Sequence, residues 1–126
     1  LRGVTIDILL PEYTDYWAMD RVNYFYMYRL QKLGVRFYLS KGMNHAKAML
    51  IDDTEGLVGS HNIDPLSFRY NIEVGMFFKK GKMVKELRGI IEEWKSKSVV
   101  FDPSTKKPRW IDYIVSPLIR LFQTIL

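Results

Sequence analysis

His45-Ala46-Lys47-Ala48-Met49-Leu50-Ile51-Asp52 (HAKAMLID), followed by Asp53-Thr54-Glu55-Gly56 and Leu57-Val58-Gly59-Ser60, is the stretch on which the reading of this chain turns. Two short apolar runs flank a segment rich in Asp, Thr and Gly, which predicts a hairpin. Its strands are His45–Ile51 and Leu57–Ser60, and Asp52–Gly56 is the turn. Residues two apart on a strand share a face, so His45 and Lys47 project to one side while Ala46, Ala48 and Leu50 face the other. Two protonatable groups on one face of an otherwise apolar strand call for a reason, because burying them unpaired is costly. Asp52 lies an odd number of residues from His45 and is aimed away from it. A structural role at the strand end follows for Asp52.

Outward from the hairpin, strands alternate with long helices. Gly3–Leu10 is β-rich and stops at Pro11. Asp15–Leu33 has aromatic and long apolar side chains at helical spacing, with Asp15 a candidate N-cap and Gly34 the stop. Val35–Leu39 and Asn71–Phe78 read as further strands. Lys82–Lys97 carries Met83, Leu87, Ile90, Ile91 and Trp94 three to four residues apart, the pattern of an amphipathic helix. Thr105–Arg109 is a basic link, and Ile111, Ile114, Val115, Leu118, Leu121, Phe122 and Ile125 form the stripe of a terminal helix interrupted by Pro117. That helix docks on its own domain, lies on a membrane surface or docks on a partner. The expected class is α/β: a mixed β-sheet flanked by helices.

Composition bounds the answer. The chain has 126 residues, enough for one domain with a core of its own. Its 48% hydrophobic and 26% charged residues exclude a disordered chain. With no cysteine, disulfides and thiolate metal sites are excluded. A net charge of +5 suits phosphate-bearing partners, anionic lipid or nucleic acid. No apolar run approaches the ~20 residues of a membrane span. The chain opens at Leu1 directly into a strand, as a piece of a longer protein would.

The candidate chemistry gathers around His45. An imidazole can attack as a nucleophile or pass a proton near neutrality. The Lys47 ammonium is placed to hold a phosphate oxygen, with the Asn62 amide and the Ser60 hydroxyl as further donors. Glu73 is the candidate carboxylate for fixing the histidine tautomer. Phosphoryl chemistry asks mostly for positioning and charge stabilisation of this kind, so no cofactor is called for. His61, counted from its neighbours Ser60 and Asn62, falls on the opposite side and reads as a structural or rim residue. A metal shared by His45 and His61 finds no supporting ligand cluster.

The ordered set HxK(x)4D (His45, Lys47, Asp52), GSxN (Gly59, Ser60, Asn62) and NxE (Asn71, Glu73) resembles the phospholipase D superfamily, the HKD proteins. RGVTIDILLP, the tyrosine-rich helix, LGVRFYLSKGMNHAKAMLID and the closing SPLIRLFQTIL extend the resemblance over nearly the whole chain, to the C-terminal half of bacterial cardiolipin synthases. The resemblance implies a phospholipase D-like half-domain over 1–126, with 105–126 its link and terminal helix. It implies a site shared by two such motifs, in which one histidine forms a phosphohistidine and the other protonates the leaving alcohol and then activates the acceptor. His45 would be one of the pair, with general acid and base the favoured role and nucleophile the other. Lys47 and Asn62 match phosphate-binding positions, Ser60 the adjoining hydroxyl and Glu73 the carboxylate behind the histidine. Asp52, Gly59, Asp64 and Ser67 match structural motif positions. Leu66 stands where family members often carry arginine, with Arg69 nearby. The implied partners are a second half carrying its own motif, an anionic phospholipid substrate and the cytoplasmic side of a membrane, with nucleic acid a weaker candidate. A hydrolytic phospholipase D or nuclease, and a non-catalytic anion-binding module, are the alternatives.

Overall fold

Among the described residues eight elements follow one another: β1 (Asp7–Pro11), α1 (Trp17–Gln31), β2 (Arg36–Ser40), β3 (Lys47–Ile51), β4 (Glu55–Gly59), β5 (Gly75–Lys79), α2 (Lys82–Ser96) and β6 (Val99–Val100). The computed structural model describes residues 3–14, 17–42, 44–62, 72–105 and 108–114. They divide into two compact units, Leu1–Asn44 with Lys97–Leu126, and His45–Ser96. The class is the α/β one expected. The mixed sheet belongs to the first unit, and the second unit holds a separate antiparallel sheet.

In the first unit β1 and β2 pair in parallel, in the register Asp7↔Arg36 to Pro11↔Ser40. Parallel neighbours need a crossover, and α1 supplies it. The helix ends at Gly34, whose φ of +91° only glycine adopts without strain. Gly34 N–H donates to the Gln31 carbonyl and Val35 N–H to that of Leu30, the paired bonds of a Schellman ending. At the other end Asp20 accepts from both the N–H and the hydroxyl of Thr14, at 2.9 and 2.7 Å; the expected cap, Asp15, lies outside the described residues.

The core of this unit mixes aliphatic and aromatic side chains. Met27 of α1, Val35, Phe37, Leu39 and Phe101 are buried together, with Ile8, Leu10 and Tyr24 packed against them. Phe37 and Phe101 meet edge to face at 6.4 Å, and Phe101 N–H prolongs the β2–β6 pairing by donating to the Phe37 carbonyl. Arg36 and Asp7 clasp the start of the parallel pair at 2.7 Å. The segment 108–114 is fastened to α1 by Arg21–Asp112 at 2.5 Å and by the Phe25–Tyr113 ring pair. Burial would raise the Asp112 carboxyl, but Arg109 N–H and the Arg21 guanidinium outweigh it, so the group sits below its ordinary value. Of the expected terminal helix only a turn at 112–114 falls among the described residues.

In the second unit β3 and β4 form a hairpin where one is expected, Lys47↔Gly59 to Ile51↔Glu55, but β4 begins at Glu55, so the expected turn Asp52–Gly56 is corrected to 52–54. β5 pairs with β4 from Glu55↔Lys79 to Gly59↔Gly75. Asp52 and Asp53 take φ of 47° and 55°, and Thr54 N–H donates back to the Ile51 carbonyl at 3.0 Å. Two successive left-handed residues are the signature of a type I′ hairpin turn, which Asp tolerates better than most side chains. Arg88 of α2 pairs with Asp53, and Lys79 with Glu55 at 2.8 Å.

α2 lies against the sheet face carrying Gly56. A Cβ there would strike the Phe78 ring and come within 3.1 Å of Leu87. Its inward stripe is Val84, Leu87, Ile91 and Trp94, whereas Met83 and Ile90 are exposed. The sequence reading, which started the stripe at Met83 and included Ile90, is corrected here: both lie on the flank of the apolar arc. Among the described residues no helix is long and apolar enough to cross a membrane.

Candidate active site

β3 begins at Lys47, two residues later than the sequence suggests, and β5 begins at Gly75 instead of Asn71. Both differences have the same kind of cause. At the head of β3 the His45 carbonyl accepts from Lys47 Nζ at 2.9 Å, a side chain in place of a ladder partner. At the head of β5 Val74 N–H donates to Ser60 Oγ at 3.1 Å, again a side chain, while Ser60 N–H still reaches the Val74 carbonyl at 2.9 Å. Polar side chains thus terminate the ladder on both flanks of β4 at one end of the sheet.

That end is where the candidate residues collect. The register sets Lys47 opposite Gly59 and Gly59 opposite Gly75, so the segment 45–47, the turn 59–62 and residue 73 enter it from three strands. Lys47 Nζ stands 2.8 and 2.9 Å from the two ring nitrogens of His45. Parity had put the two side chains on one face, and the structure has them in contact. A neutral imidazole has a single accepting nitrogen, so the ammonium can donate to one ring nitrogen at a time, and the two distances mark close contact of the pair.

Ser60 and Glu73 form the second pair. The hydroxyl donates to Glu73 Oε2 at 2.5 Å, the short length of a charge-assisted bond. Its single proton is therefore spent on the carboxylate. Among the described residues the hydrogen-bond partner of His45 is Lys47, and the bond described for Glu73 is the one from Ser60. Asn62 is exposed at the same end. Asp52 sits at the opposite end of β3, in the hairpin turn. Asp64, Leu66, Ser67, Arg69 and Asn71 lie outside the described residues. No cluster of three or more His, Asp or Glu able to hold a metal occurs among the described residues.

Gly59 has a steric reason to be glycine. A Cβ would sit 2.6 Å from the Val74 carbonyl oxygen, 2.9 Å from Gly75 Cα and 3.0 Å from His61 Nδ1. The last distance puts the His61 ring beside Gly59, on the face opposite that of its neighbours Ser60 and Asn62. Counted from Lys47 through the hairpin register, instead of from Ser60, His61 falls on the Lys47 face. The signal was present once the hairpin pairing was known.

Comparison with known proteins identifies the family. Residues 1–94 match the family model described as "Cardiolipin synthase, PLD-like domain". The chain belongs to this family. Among its relatives is the cardiolipin synthase of Listeria welshimeri, 31% identical over 116 residues, which cover 90% of this chain and 24% of the relative. The major cardiolipin synthase of Bacillus subtilis is 32% identical over 114 residues, 88% of this chain and 24% of the relative. Cardiolipin synthase A of Buchnera aphidicola is 31% identical over 127 residues, 94% and 26% respectively. The chain thus spans about a quarter of the length of the curated relatives it matches.

Proposed function

We propose that this chain is the C-terminal catalytic half of a phosphatidyltransferase of the cardiolipin synthase type, exchanging a phospholipid phosphodiester through a phosphohistidine. The observation that carries the reading is the His45–Lys47 contact, at the same sheet end as Ser60, Asn62 and Glu73, in a chain of this family. On this reading 1–126 works as one half-domain beside a second half bearing its own motif, at the cytoplasmic surface of a membrane.

The reaction then runs in two exchanges. The histidine of the other half attacks phosphorus, forming an N–P bond as the P–O bond to the first alcohol breaks. His45 gives that alcohol its proton. It next takes a proton from the incoming alcohol, whose oxygen displaces the first histidine from phosphorus. Lys47 and Asn62 hold the non-bridging oxygens, where charge builds as each bond breaks. Glu73, held by Ser60, is the carboxylate that fixes the histidine orientation once substrate draws Lys47 toward phosphate. Asp52 serves the hairpin turn, and Gly59, Asp64 and Ser67 serve the architecture of the following loop.

The test uses the full-length parent protein, offered vesicles of anionic phospholipid and single-stranded DNA side by side. Transfer or hydrolysis of lipid, lost in His45→Ala, is the expected result. Cleavage of the DNA backbone alone would establish a nuclease instead. A fully active His45→Ala protein would overturn the catalytic assignment, and failure to trap a phosphorylated histidine would favour a non-catalytic anion-binding module.

A further inference from the structure

The turn Gly59-Ser60-His61-Asn62 carries two short polar side chains and one imidazole, and the structure divides their work unexpectedly. Ser60 gives its one proton to Glu73. His61 is half-buried, and among the described residues its ring makes no hydrogen bond. The ring lies over a floor of two facing glycines. A Cβ on Gly59 would be 3.0 Å from its Nδ1, and a Cβ on Gly75 would be 3.7 and 3.8 Å from its Cε1 and Nδ1.

Directly opposed residues of an antiparallel pair present their side chains to the same face. Lys47, Gly59 and Gly75 are opposed in series, so the floor under His61 and the side chain of Lys47 share one face. α2 covers the other face, where Leu87 stands over Gly56. The imidazole is therefore on the side of His45 and Lys47, with its donor unspent. A polar ring taken partly out of water without a partner costs stability, and a ligand oxygen would offset that cost.

We propose that His61, rather than Ser60, supplies the hydrogen bond this turn offers to a non-bridging oxygen of the phosphodiester. The assignment rests on the phosphodiester reading of the site and adds a binding residue to it. Ser60 becomes the positioning residue for Glu73. Gly59 is what admits the ring so closely, since a Cβ there would stand 3.0 Å from Nδ1, whereas one on Gly75 would meet the ring at ordinary contact distance.

The test follows the imidazole resonances of the full-length protein as inorganic phosphate is added. The ring nitrogens of His61 should shift saturably, with the same midpoint as those of His45. A shift of His45 with His61 unmoved, or of neither, overturns the assignment. On vesicles of phosphatidylglycerol in phosphatidylcholine, His61→Ala should raise KM about fivefold, the loss of one hydrogen bond, and lower kcat less. His61→Gln, which restores an amide donor, should recover most of that affinity. A larger KM effect for Ser60→Ala than for His61→Ala would also overturn it. Should phosphate move His61 in a protein that leaves these vesicles untouched, the lipid reading fails and the His61 assignment stands.

Discussion

The two units of this chain are held together by different physics. The first unit buries Val22, Phe25, Met27, Val35, Phe37, Leu39 and Phe101, whereas the second buries only Val84 and Leu87 among the described apolar residues. On the second unit's sheet Met49, Ile51, Val58, Met76 and Phe77 are 41–60% exposed. Its shape depends instead on a strained two-aspartate turn, on glycines that allow close approach, and on side chains that end the ladder. The unit that carries the candidate chemistry is the one with the lesser core. Stability and reactivity should therefore respond to different residues.

The largest effect should fall on His45. His45→Ala in the full-length protein is expected to lower kcat by about 10⁴-fold or more, as removal of an acid–base or nucleophilic group does. Because the residue is exposed, the free energy of urea unfolding should stay within about 0.5 kcal/mol of wild type. A large loss of stability in that variant would dissolve the division drawn between the units.

Phe37→Ala tests the other side of the comparison. It removes a ring buried at 3% exposure and packed on Phe101, which should cost about 3–5 kcal/mol in urea unfolding of this chain. Gly56→Ala probes the second unit's close packing, where the new methyl must displace Phe78 and Leu87. A loss of about 1–3 kcal/mol is expected, together with increased amide exchange in β4 and α2. If Gly56→Ala proved as damaging as Phe37→Ala, the second unit would be better cored than its exposure indicates.

The smallest effect concerns Asp112 and is dependent on pH. Its carboxyl lies below its ordinary value, so it contributes stability above that value and loses it as pH falls through the depressed folded value. Asp112→Asn should cost about 1–2 kcal/mol at pH 7, the worth of a charged hydrogen bond. The gap from wild type should close as pH drops below about 4. A gap that persists unchanged at low pH would mean that shape, rather than charge, fastens 108–114 to α1.

Much of the fold is legible in the residues. The Gly34 stop, the Asp-rich hairpin turn and the apolar spacing of α2 each follow from local chemistry that acts within a few residues. The errors are equally instructive. The heads of β3 and β5 lie two and four residues later than the pattern suggests: Ile72 and Val74 favour strands, but the Val74 N–H goes to the Ser60 hydroxyl and the His45 carbonyl accepts from Lys47 Nζ. Met83 and Ile90 entered the α2 stripe because a 3.6-residue period leaves the edge of the apolar arc undecided until something packs against it.

The order of residues alone dictates which groups could do chemistry here: a histidine and lysine two apart, the GSxN turn and a later carboxylate. It determined that His45 and Lys47 share a side, because strand periodicity is a local property. It could not assign Ser60 to Glu73, which lie thirteen residues apart and meet only when β4 pairs with β5. Nor could it put His61 on the Lys47 face, since that depends on the Lys47↔Gly59↔Gly75 register and on two glycines meeting across it. Hydrogen-bond partners and shared faces between strands are settled by pairing register, and register exists only in the tertiary structure.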